Sequence, residues 1–198
     1  MNEKFFLTID DFPQFKILEE NYQTLLDELI SVINEQNRKM FEPWVEKNLY
    51  QDSNENGWDI APLMIGGVMI EERIVKFPKL FSLINNIQGV MSVSYSLLKP
   101  GTHIVPHKGY DDYSQKVLRY HMGMIVPKGD VAIRVEKDTM KWSEGKSFIF
   151  DDYMVHEAWN FSNENRIVLI IDFLKKEYMN STMFLDANFT KATTNYLK

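Results

Sequence analysis

The feature that most constrains the fold is a change in hydrophobic periodicity near residue 90. From there to about residue 174, apolar and polar residues alternate in short runs, as in half-buried β-strands. Turn-forming sequences rich in glycine, proline, serine and asparagine separate these runs. Such a succession predicts a mainly β protein with N-terminal helices, built as a double-sheet jelly roll or barrel. The candidate strands are residues 91–98, 117–126, 131–135, 147–151, 155–159 and 166–174.

The part of the chain that precedes this core, residues 1–88, is expected to be a largely helical buttress. Apolar residues recur every three or four positions from residue 15 to about residue 40, which predicts one amphipathic helix. Residues 77–87 predict a short helix, and residues 58–70 predict an irregular strand. The 198 residues contain no internal repeat and no low-complexity linker, so we expect a single domain. Its β core spans residues 89–175, and residues 176–198 form a tail or lid.

Charge and composition exclude several classes of function. The net charge is −6 and no basic run carries interleaved aromatic residues, so nucleic acid is not an expected partner. The absence of cysteine removes disulfide frameworks, thiolate metal sites and cysteine nucleophiles. Acidic residues appear too early for a signal peptide, and the longest apolar run, residues 167–171, is too short to cross a bilayer. We therefore expect a cytoplasmic protein without a membrane partner.

All four histidines lie in one stretch, residues 96–166, which ends in an arginine. Neutral imidazoles ligate metals, and a guanidinium holds a carboxylate through two parallel hydrogen bonds. Two histidines on separate strands, followed by Arg166, therefore predict a small metal site that also binds a carboxylate cosubstrate. The four histidines are His103, His107, His121 and His156.

A mononuclear non-haem iron site commonly adds one carboxylate to its two histidines. That carboxylate usually follows the first histidine by two positions, but His107 is followed by Lys108 and Gly109. Asp111 and Asp112 are nearby acids that reach the metal only if the chain folds back. Two further acids, Asp151 and Asp152, precede His156 and are candidates for orienting its imidazole.

Two of the predicted strands have one apolar and one polar face, and alternation alone leaves the place of the polar face open. Either it is wetted by solvent, or it lines a polar pocket inside the barrel. In residues 91–98 the polar face carries Ser92, Ser94 and Ser96. In residues 117–126 the apolar face carries Leu118, Tyr120, Met122 and Met124, and the other carries Val117, Arg119, His121 and Gly123.

Five motifs keep a fixed order and spacing across this region. They are SLLKPGTHIVPHKG at 96–109, LRYHMG at 118–123, WSEGK at 142–146, FDDYMVHEAW at 150–159, and Arg166. Together they strongly resemble the aspartyl/asparaginyl β-hydroxylase family, Fe(II)- and 2-oxoglutarate-dependent oxygenases on a double-stranded β-helix. The resemblance extends over most of the chain and is weakest in residues 41–75 and after residue 175.

The resemblance implies a role for each matched residue. His107 and His156 would ligate iron, while the glycine at the carboxylate position, Gly109, agrees with a family whose metal site lacks that carboxylate. Arg166 would pair with the distal carboxylate of 2-oxoglutarate, and Ser96 would hydrogen-bond at the same end.

Two more matched residues, Arg119 and His121, would line the pocket near the cosubstrate, so that they and Ser96 face inward. No chemistry is assigned to His103, which is expected to be structural. Trp142 and Trp159 are expected to belong to the core.

The implied activity is hydroxylation coupled to the conversion of 2-oxoglutarate to succinate and CO₂. The resemblance favours the β-carbon of an aspartyl or asparaginyl group, in a small-molecule or short-peptide substrate. Lys108, Tyr110 and Tyr113 flank the expected mouth of the site. Two alternatives remain open at this point: a 2-oxoglutarate-dependent halogenase on the same fold, and a non-catalytic jelly-roll binding module.

Overall fold

The computed structural model describes residues 4–36, 39–51 and 57–180. The strands are β1 (Phe6–Leu7), β2 (Glu42–Pro43), β3 (Tyr50–Gln51), β4 (Trp58–Ile65), β5 (Val68–Met69), β6 (Val90–Leu98), β7 (Thr102–His107), β8 (Val117–Ile125), β9 (Val131–Val135), β10 (Asp138–Lys141), β11 (Ser147–Phe150), β12 (His156–Asn160) and β13 (Arg166–Leu174). The helices are α1 (Lys16–Glu20), α2 (Tyr22–Gln36), α3 (Glu71–Ile74), α4 (Pro78–Ile84) and α5 (Asp111–Ser114), with 3₁₀ turns at Pro13–Phe15, Lys47–Leu49 and Lys176–Tyr178.

Two antiparallel sheets form the body of the molecule. The larger runs in the order β1-β11-β8-β13-β6-β4-β2, with β5 paired to β4, and the smaller runs β10-β9-β12-β7-β3. From β6 onward the chain passes repeatedly between the two sheets, and apolar side chains from both share one core cluster. This is the double-stranded β-helix, or cupin-like jelly roll, that the sequence predicted.

The six strands predicted from alternation are confirmed, each within one residue of its observed bounds at either end. Two strands were missed in the same region, β7 and β10. The irregular strand predicted within residues 58–70 is confirmed as β4 and β5, and β4 pairs along the length of β6. The predicted tail lies largely outside the described residues.

The large sheet is covered on its outer face by the N-terminal helices. Residues from α1, α2 and α4 form one core cluster with the apolar faces of β6 and β8, including Val93, Tyr95, Tyr120, Met122 and Met124. The opposite face of these two strands, which carries the serines and His121, therefore faces the smaller sheet. The choice that alternation left open is resolved in favour of an internal polar pocket.

The prediction of one continuous helix from residue 15 to about residue 40 is wrong, because the structure has two helices there, α1 and α2. The helical segment is interrupted at Asn21, whose backbone leaves helical geometry and whose side-chain amide donates to the carbonyl of Ile17 at 2.8 Å. Asparagine competes in this way for backbone hydrogen bonds and so ends helices. The second segment ends at Gln36, and its buried residues Leu25, Leu29 and Val32 keep the predicted amphipathic spacing.

Candidate metal centre

His107 and His156 come together because β7 and β12 are neighbouring strands of the smaller sheet. The two residues are directly paired in the antiparallel register, and their ring centroids lie 4.3 Å apart. Paired positions in a ladder project to the same face, which here is the interior of the barrel. The register of two strands that are almost fifty residues apart in sequence thus produces the predicted pair of imidazoles.

Each imidazole is held in one orientation by a local backbone hydrogen bond. Nδ1 of His107 lies 2.8 Å from the carbonyl oxygen of Val105, and Nδ1 of His156 lies 2.8 Å from that of Met154. A carbonyl oxygen only accepts, so both Nδ1 atoms carry the proton and both Nε2 atoms keep a free lone pair. This is the tautomer that a metal ligand requires.

Burial keeps both imidazoles neutral at pH 7. It lowers the pKa of His107 below its ordinary value and lowers the pKa of His156 to about 4, although the nearby Asp152 carboxylate opposes the second shift. Neutral imidazoles bind a metal without first losing a proton. The pair is therefore ready to act as ligands.

Asp152 places a carboxylate beside this pair. Its Oδ1 lies 3.5 Å from Nε2 of His156, its Oδ2 accepts a hydrogen bond from Oγ of Ser114 at 2.6 Å, and it forms an ion pair with Arg119. Burial alone would raise the pKa of Asp152, but the charge of Arg119 makes the net shift a lowering. A carboxylate oxygen and an unprotonated nitrogen thus face each other across a gap that favours a cation.

Gly109 leaves the space that Asp152 occupies. A Cβ atom at position 109 would overlap with Oδ2 of Asp152 and Oγ of Ser114. A side chain at position 109 would therefore collide with a carboxylate from a different part of the chain. Among the described residues, no group of three or more histidine, aspartate and glutamate side chains has the arrangement of a metal site.

The other acids considered from sequence behave differently. Asp151 points away and pairs with Lys175 at 2.7 Å, while its second oxygen accepts from the backbone of Tyr153. Asp112 is exposed on α5, and the side chain of Asp111 lies outside the described residues.

Arg166 lies inside the barrel and is 2% exposed. No carboxylate of the described residues lies within ion-pair distance of its guanidinium, and its Nε has no hydrogen-bond partner among them. Its central carbon stacks 4.7 Å above the ring of Trp142. Burial alone lowers the pKa of Arg166 to about 9, so it stays charged at neutral pH. A buried cation in this state is a site for an anion.

His121 and Ser96 are buried near this end of the interior. His121 is packed between Trp142 and Phe150, and neither ring nitrogen has a hydrogen-bond partner among the described residues. Burial holds the pKa of His121 well below its ordinary value. Ser96 accepts a hydrogen bond from Nε1 of Trp58 at 3.1 Å, which leaves its own hydroxyl proton to donate elsewhere.

Arg119, the other arginine predicted for the pocket, forms ion pairs with two carboxylates. It makes a two-point contact with Asp172, with distances of 2.7 and 2.9 Å, in addition to its ion pair with Asp152. Burial opposes its charge, but the two carboxylates raise the pKa of Arg119 overall. Tyr113 donates to Asp172 at 3.1 Å and bonds with Ser92 at 2.6 Å, which extends the network.

An open cavity of about 170 Å³ lies on the His107 side of the centre. Its lining includes the charged residues Arg119, Asp152 and Asp172. The three side chains expected at the mouth, Lys108, Tyr110 and Tyr113, also line the cavity; Lys108 is exposed and Tyr113 is buried. The full lining is Trp44, Glu46, Leu49, Trp58, Ile60, Pro62, Met64, Ile65, Ser92, Ser94, His107, Lys108, Gly109, Tyr110, Tyr113, Ser114, Arg119, Asp152, Ile170 and Asp172.

The remaining histidine, His103, lies on β7 in a different environment from His107. Its Nε2 donates to Glu157 at 2.6 Å, and Glu157 also pairs with Arg134. Trp159 is half-buried and donates to Asp130. Trp142 is buried as expected, but it also stacks on Arg166, a role that the sequence did not suggest.

Comparison with known proteins establishes the family of the chain. A sequence model of the aspartyl/asparaginyl β-hydroxylase family matches residues 19–176. The chain belongs to this family. The ornithine lipid ester-linked acyl 2-hydroxylase of Rhizobium tropici is 34% identical over 166 residues, which cover 83% of this chain and 58% of the relative. The human aspartyl/asparaginyl β-hydroxylase is 31% identical over 168 residues, which cover 79% of this chain and 20% of the relative.

The chain thus spans about three-fifths of the first relative and about one-fifth of the second. Among solved structures, a Pseudomonas putida prolyl-4-hydroxylase aligns over 77% of this chain and 87% of its own, with 14% identity and a TM-score of 0.49. None of the helices in the described ranges combines the length and apolar character that a membrane span needs.

Proposed function

We propose that this family member is an Fe(II)- and 2-oxoglutarate-dependent hydroxylase. The observation that carries the proposal is the paired position of His107 and His156, with both Nδ1 protons fixed on backbone carbonyls and both Nε2 lone pairs free. The two imidazoles would hold the iron, and the Asp152 carboxylate beside them adds a negative charge that favours a divalent cation.

Arg166 would hold the distal carboxylate of 2-oxoglutarate. Its guanidinium is buried and lacks a carboxylate partner among the described residues, so an incoming carboxylate would supply the charge that the fold does not. The free hydroxyl proton of Ser96 is available at the same end of the interior, and His121 offers two ring nitrogens without partners. These orphaned polar atoms fit a polar cosubstrate.

Iron and 2-oxoglutarate together supply the oxidation: one atom of O₂ enters a substrate C–H bond and the other enters succinate, with release of CO₂. The protein's part is to position the reactants and exclude bulk water. The neutral imidazoles keep their lone pairs available, and Trp142 covers one face of the Arg166 guanidinium. The Arg119 network holds Asp152 in place beside His156.

The Asp152 carboxylate supports hydroxylation over the halogenase alternative. A chloride ligand on the metal would lie close to the Asp152 carboxylate, which is beside Nε2 of His156. A second anion there would be repelled by the first. Hydroxylation therefore remains the proposed reaction.

The names of the two relatives indicate two kinds of substrate for those proteins: an ester-linked lipid acyl chain for the first, and an aspartyl or asparaginyl group for the second. The aspartyl or asparaginyl β-carbon, expected from the family resemblance, stays a prediction here. Cytoplasmic location and a small-molecule or short-peptide substrate likewise stay predictions.

Ligand-induced stabilisation tests the proposal directly. A redox-inert divalent metal with 2-oxoglutarate at a hundredfold excess over its Kd should stabilise the fold by about 2.7 kcal/mol. That corresponds to an increase in Tm of roughly 5–10 °C for a chain of this size. A non-catalytic binding module would show no such increase, and no iron-dependent formation of succinate from 2-oxoglutarate.

A further inference from the structure

Glu136 has a backbone conformation that residues with a side chain rarely adopt. It lies in the two-residue turn that joins β9 to β10, and its φ of 51° falls in the left-handed region. Among the described residues it is the only one other than glycine with a positive φ. Glycine is the usual residue at such a position, because a Cβ atom crowds the backbone there. A glutamate in its place points to a task for the side chain.

Glu136 is hydrogen-bonded at two points to Val155, the residue before His156. The N–H of Glu136 donates to the carbonyl of Val155 at 2.8 Å, and the N–H of Val155 donates to Oε1 of Glu136 at 3.0 Å. These two residues follow directly on the pair of Val135 and His156 in the ladder of β9 and β12. In an ordinary antiparallel pair the second bond would go to a backbone carbonyl. Here the side-chain carboxylate takes the place of that carbonyl.

The peptide group that Glu136 holds is the one that fixes the imidazole of His156. The N–H of Val155 and the carbonyl of Met154 belong to a single peptide group, and that carbonyl accepts from Nδ1 of His156 at 2.8 Å. The carboxylate, the peptide group and the imidazole therefore form one continuous series of hydrogen bonds that leads to the Nε2 lone pair. We call this series the Glu136–His156 network.

The imidazole of His107 has no equivalent network. Its Nδ1 bonds to the carbonyl of Val105, and the nitrogen of that peptide group belongs to Pro106. Proline has no backbone N–H, so this peptide group has nothing to donate to a carboxylate. The two expected metal ligands thus differ in what lies behind them. The peptide group behind His156 is bonded to a carboxylate, whereas the one behind His107 cannot be.

A carboxylate at one end of such a network strengthens the bond at the other end. A peptide N–H that donates to an anion makes the carbonyl of the same peptide group a better acceptor, because successive hydrogen bonds polarise one another. A better acceptor for Nδ1–H raises the electron density at Nε2, which makes the imidazole a stronger metal ligand. Glu136 is exposed, so solvent screens part of this effect. The expected contribution is therefore modest and measurable.

From this network and the strained turn that supplies it, we propose that Glu136 is a positioning residue for the metal centre. It orients the imidazole of His156 and strengthens Nε2 as a ligand through the peptide group between Met154 and Val155. The inference rests on the proposed function, in which His156 binds iron. It also explains the glutamate at a left-handed φ, since glycine would suit the turn but could not supply a carboxylate.

Metal affinity of the full chain tests the inference. Mn²⁺ is titrated with 2-oxoglutarate present, and free Mn²⁺ is measured by electron paramagnetic resonance. Glu136→Ala should weaken binding about fivefold, less than the 10–100-fold typical of a group bonded directly to a ligating histidine. Glu136→Gln keeps an uncharged acceptor, so its affinity should lie between those of Glu136→Ala and the wild type.

The matched control is Glu144→Ala. Glu144 is also exposed and its carboxylate also accepts from a backbone N–H, that of Val126 at 3.1 Å, but this peptide group is not bonded to a ligand. Its substitution should leave the affinity for Mn²⁺ unchanged. Wild-type binding of Mn²⁺ with the same affinity in Glu136→Ala, or equal losses in both variants, would overturn the inference alone. A wild-type chain that does not bind Mn²⁺ would overturn the proposed function first.

Glu136→Gly separates positioning from a role in the stability of the turn. Glycine suits a φ of 51°, so the ligand-free Tm should be unchanged or higher, while Mn²⁺ binding weakens as in Glu136→Ala. A lower Tm would instead mean that the glutamate serves the turn itself, and would overturn the positioning role.

The ring N–H resonances of the Zn²⁺-loaded protein report on the network directly. Glu136→Gln should move the Nδ1–H proton of His156 upfield, because the Met154 carbonyl becomes a weaker acceptor. The Nδ1–H proton of His107 should stay in place, since its partner is the peptide group that ends in Pro106. No shift for His156, or an equal shift for both histidines, would overturn the inference.

Discussion

Arg119 and Arg166 both project into the barrel from adjacent strands of the large sheet, yet within the described part of the chain only Arg119 is paired with carboxylates. Asp152 and Asp172 hold Arg119, whereas the guanidinium of Arg166 lies against the face of Trp142 and has no carboxylate of the described residues within ion-pair distance. A buried cation without a counter-charge costs several kcal/mol of desolvation, of which a cation–π contact returns about 2 kcal/mol. The protein without ligand therefore carries a local energetic deficit that an anionic ligand would remove.

Arg166→Lys should weaken 2-oxoglutarate binding about tenfold or more. An ammonium group cannot reproduce the planar fork that meets a carboxylate with two parallel hydrogen bonds. The measurement is the dependence of Tm on 2-oxoglutarate concentration with a redox-inert metal. Arg134→Lys is the matched control, because Arg134 lies on the outer face of the smaller sheet and pairs with Glu157. Unchanged affinity in Arg166→Lys would remove this residue from the cosubstrate site.

Methionine at the same two arginines should have opposite effects on stability. Arg166→Met removes an uncompensated buried charge, so the ligand-free protein should be as stable as the wild type or more stable, but no longer stabilised by 2-oxoglutarate. Arg119→Met leaves Asp152 and Asp172 buried without their cation and should cost about 3–5 kcal/mol. Urea unfolding of both variants without ligand gives the comparison. A large loss of stability in Arg166→Met would indicate a counter-charge within the fold.

His156→Ala should reduce iron-dependent succinate formation to background and abolish metal-dependent stabilisation. One imidazole cannot replace a pair of ligands. The control is His103→Ala, since His103 lies on β7 as well but bonds outward to Glu157. That variant should keep its turnover and its response to metal. Retained turnover in His156→Ala, or equal losses in both variants, would contradict the assignment of His107 and His156.

Much of the β core could be predicted because one face of each strand is packed. Burial on one side imposes a period of two, and the strands beginning at Val131 and Arg166 were located to the residue. Strand β7 escaped this reasoning because it contains Pro106, which has no backbone N–H and weakens a strand assignment. Its position depends instead on pairing with β12 and β3, which a local pattern does not reveal.

The candidate site was predictable only where motifs fixed its residues. From the sequence, Asp151 and Asp152 were equal candidates for orienting the imidazole of His156. In the structure, Asp151 pairs with Lys175 and Asp152 pairs with Arg119 beside His156, and a local pattern does not reveal this difference. The apolar wall of the cavity beside His107 was missed because its residues, such as Trp58 and Ile60, come from an irregular segment whose place is set by the pairing of β4 with β6. Long-range register, rather than local composition, assembles both features.

A stability test concerns the helical cover of the large sheet. Glu28 of α2 is 7% exposed, and its two carboxylate oxygens accept from the backbone N–H groups of Lys79 and Leu80, at 2.8 and 3.1 Å. Helix α4 has no side-chain cap of its own, so Glu28 satisfies its N-terminus from a neighbouring helix. Glu28→Ala should therefore destabilise the fold by about 2–3 kcal/mol.

Thermal unfolding checks this value, which corresponds to a decrease in Tm of roughly 4–12 °C. The control is Glu35→Ala on the same helix. Glu35 is largely exposed and only approaches Lys76 at 3.3 Å, so its loss should change stability by less than about 0.5 kcal/mol. Similar decreases in both variants would mean that Glu28 acts only through general helix effects.

Gly109→Asp restores the His-x-Asp spacing but should not restore a three-residue metal site. Because Asp152 and Ser114 occupy the space of the new side chain, the substitution should cost about 1–3 kcal/mol and leave metal affinity unimproved. Gly109→Asp combined with Asp152→Gly frees that space, and should bind Mn²⁺ more tightly than either single variant. The combined variant also loses one carboxylate from Arg119, so metal titration, and not Tm, is the measurement that decides. If Gly109→Asp alone binds Mn²⁺ as tightly as the combined variant, Asp152 does not occupy the position of the missing carboxylate.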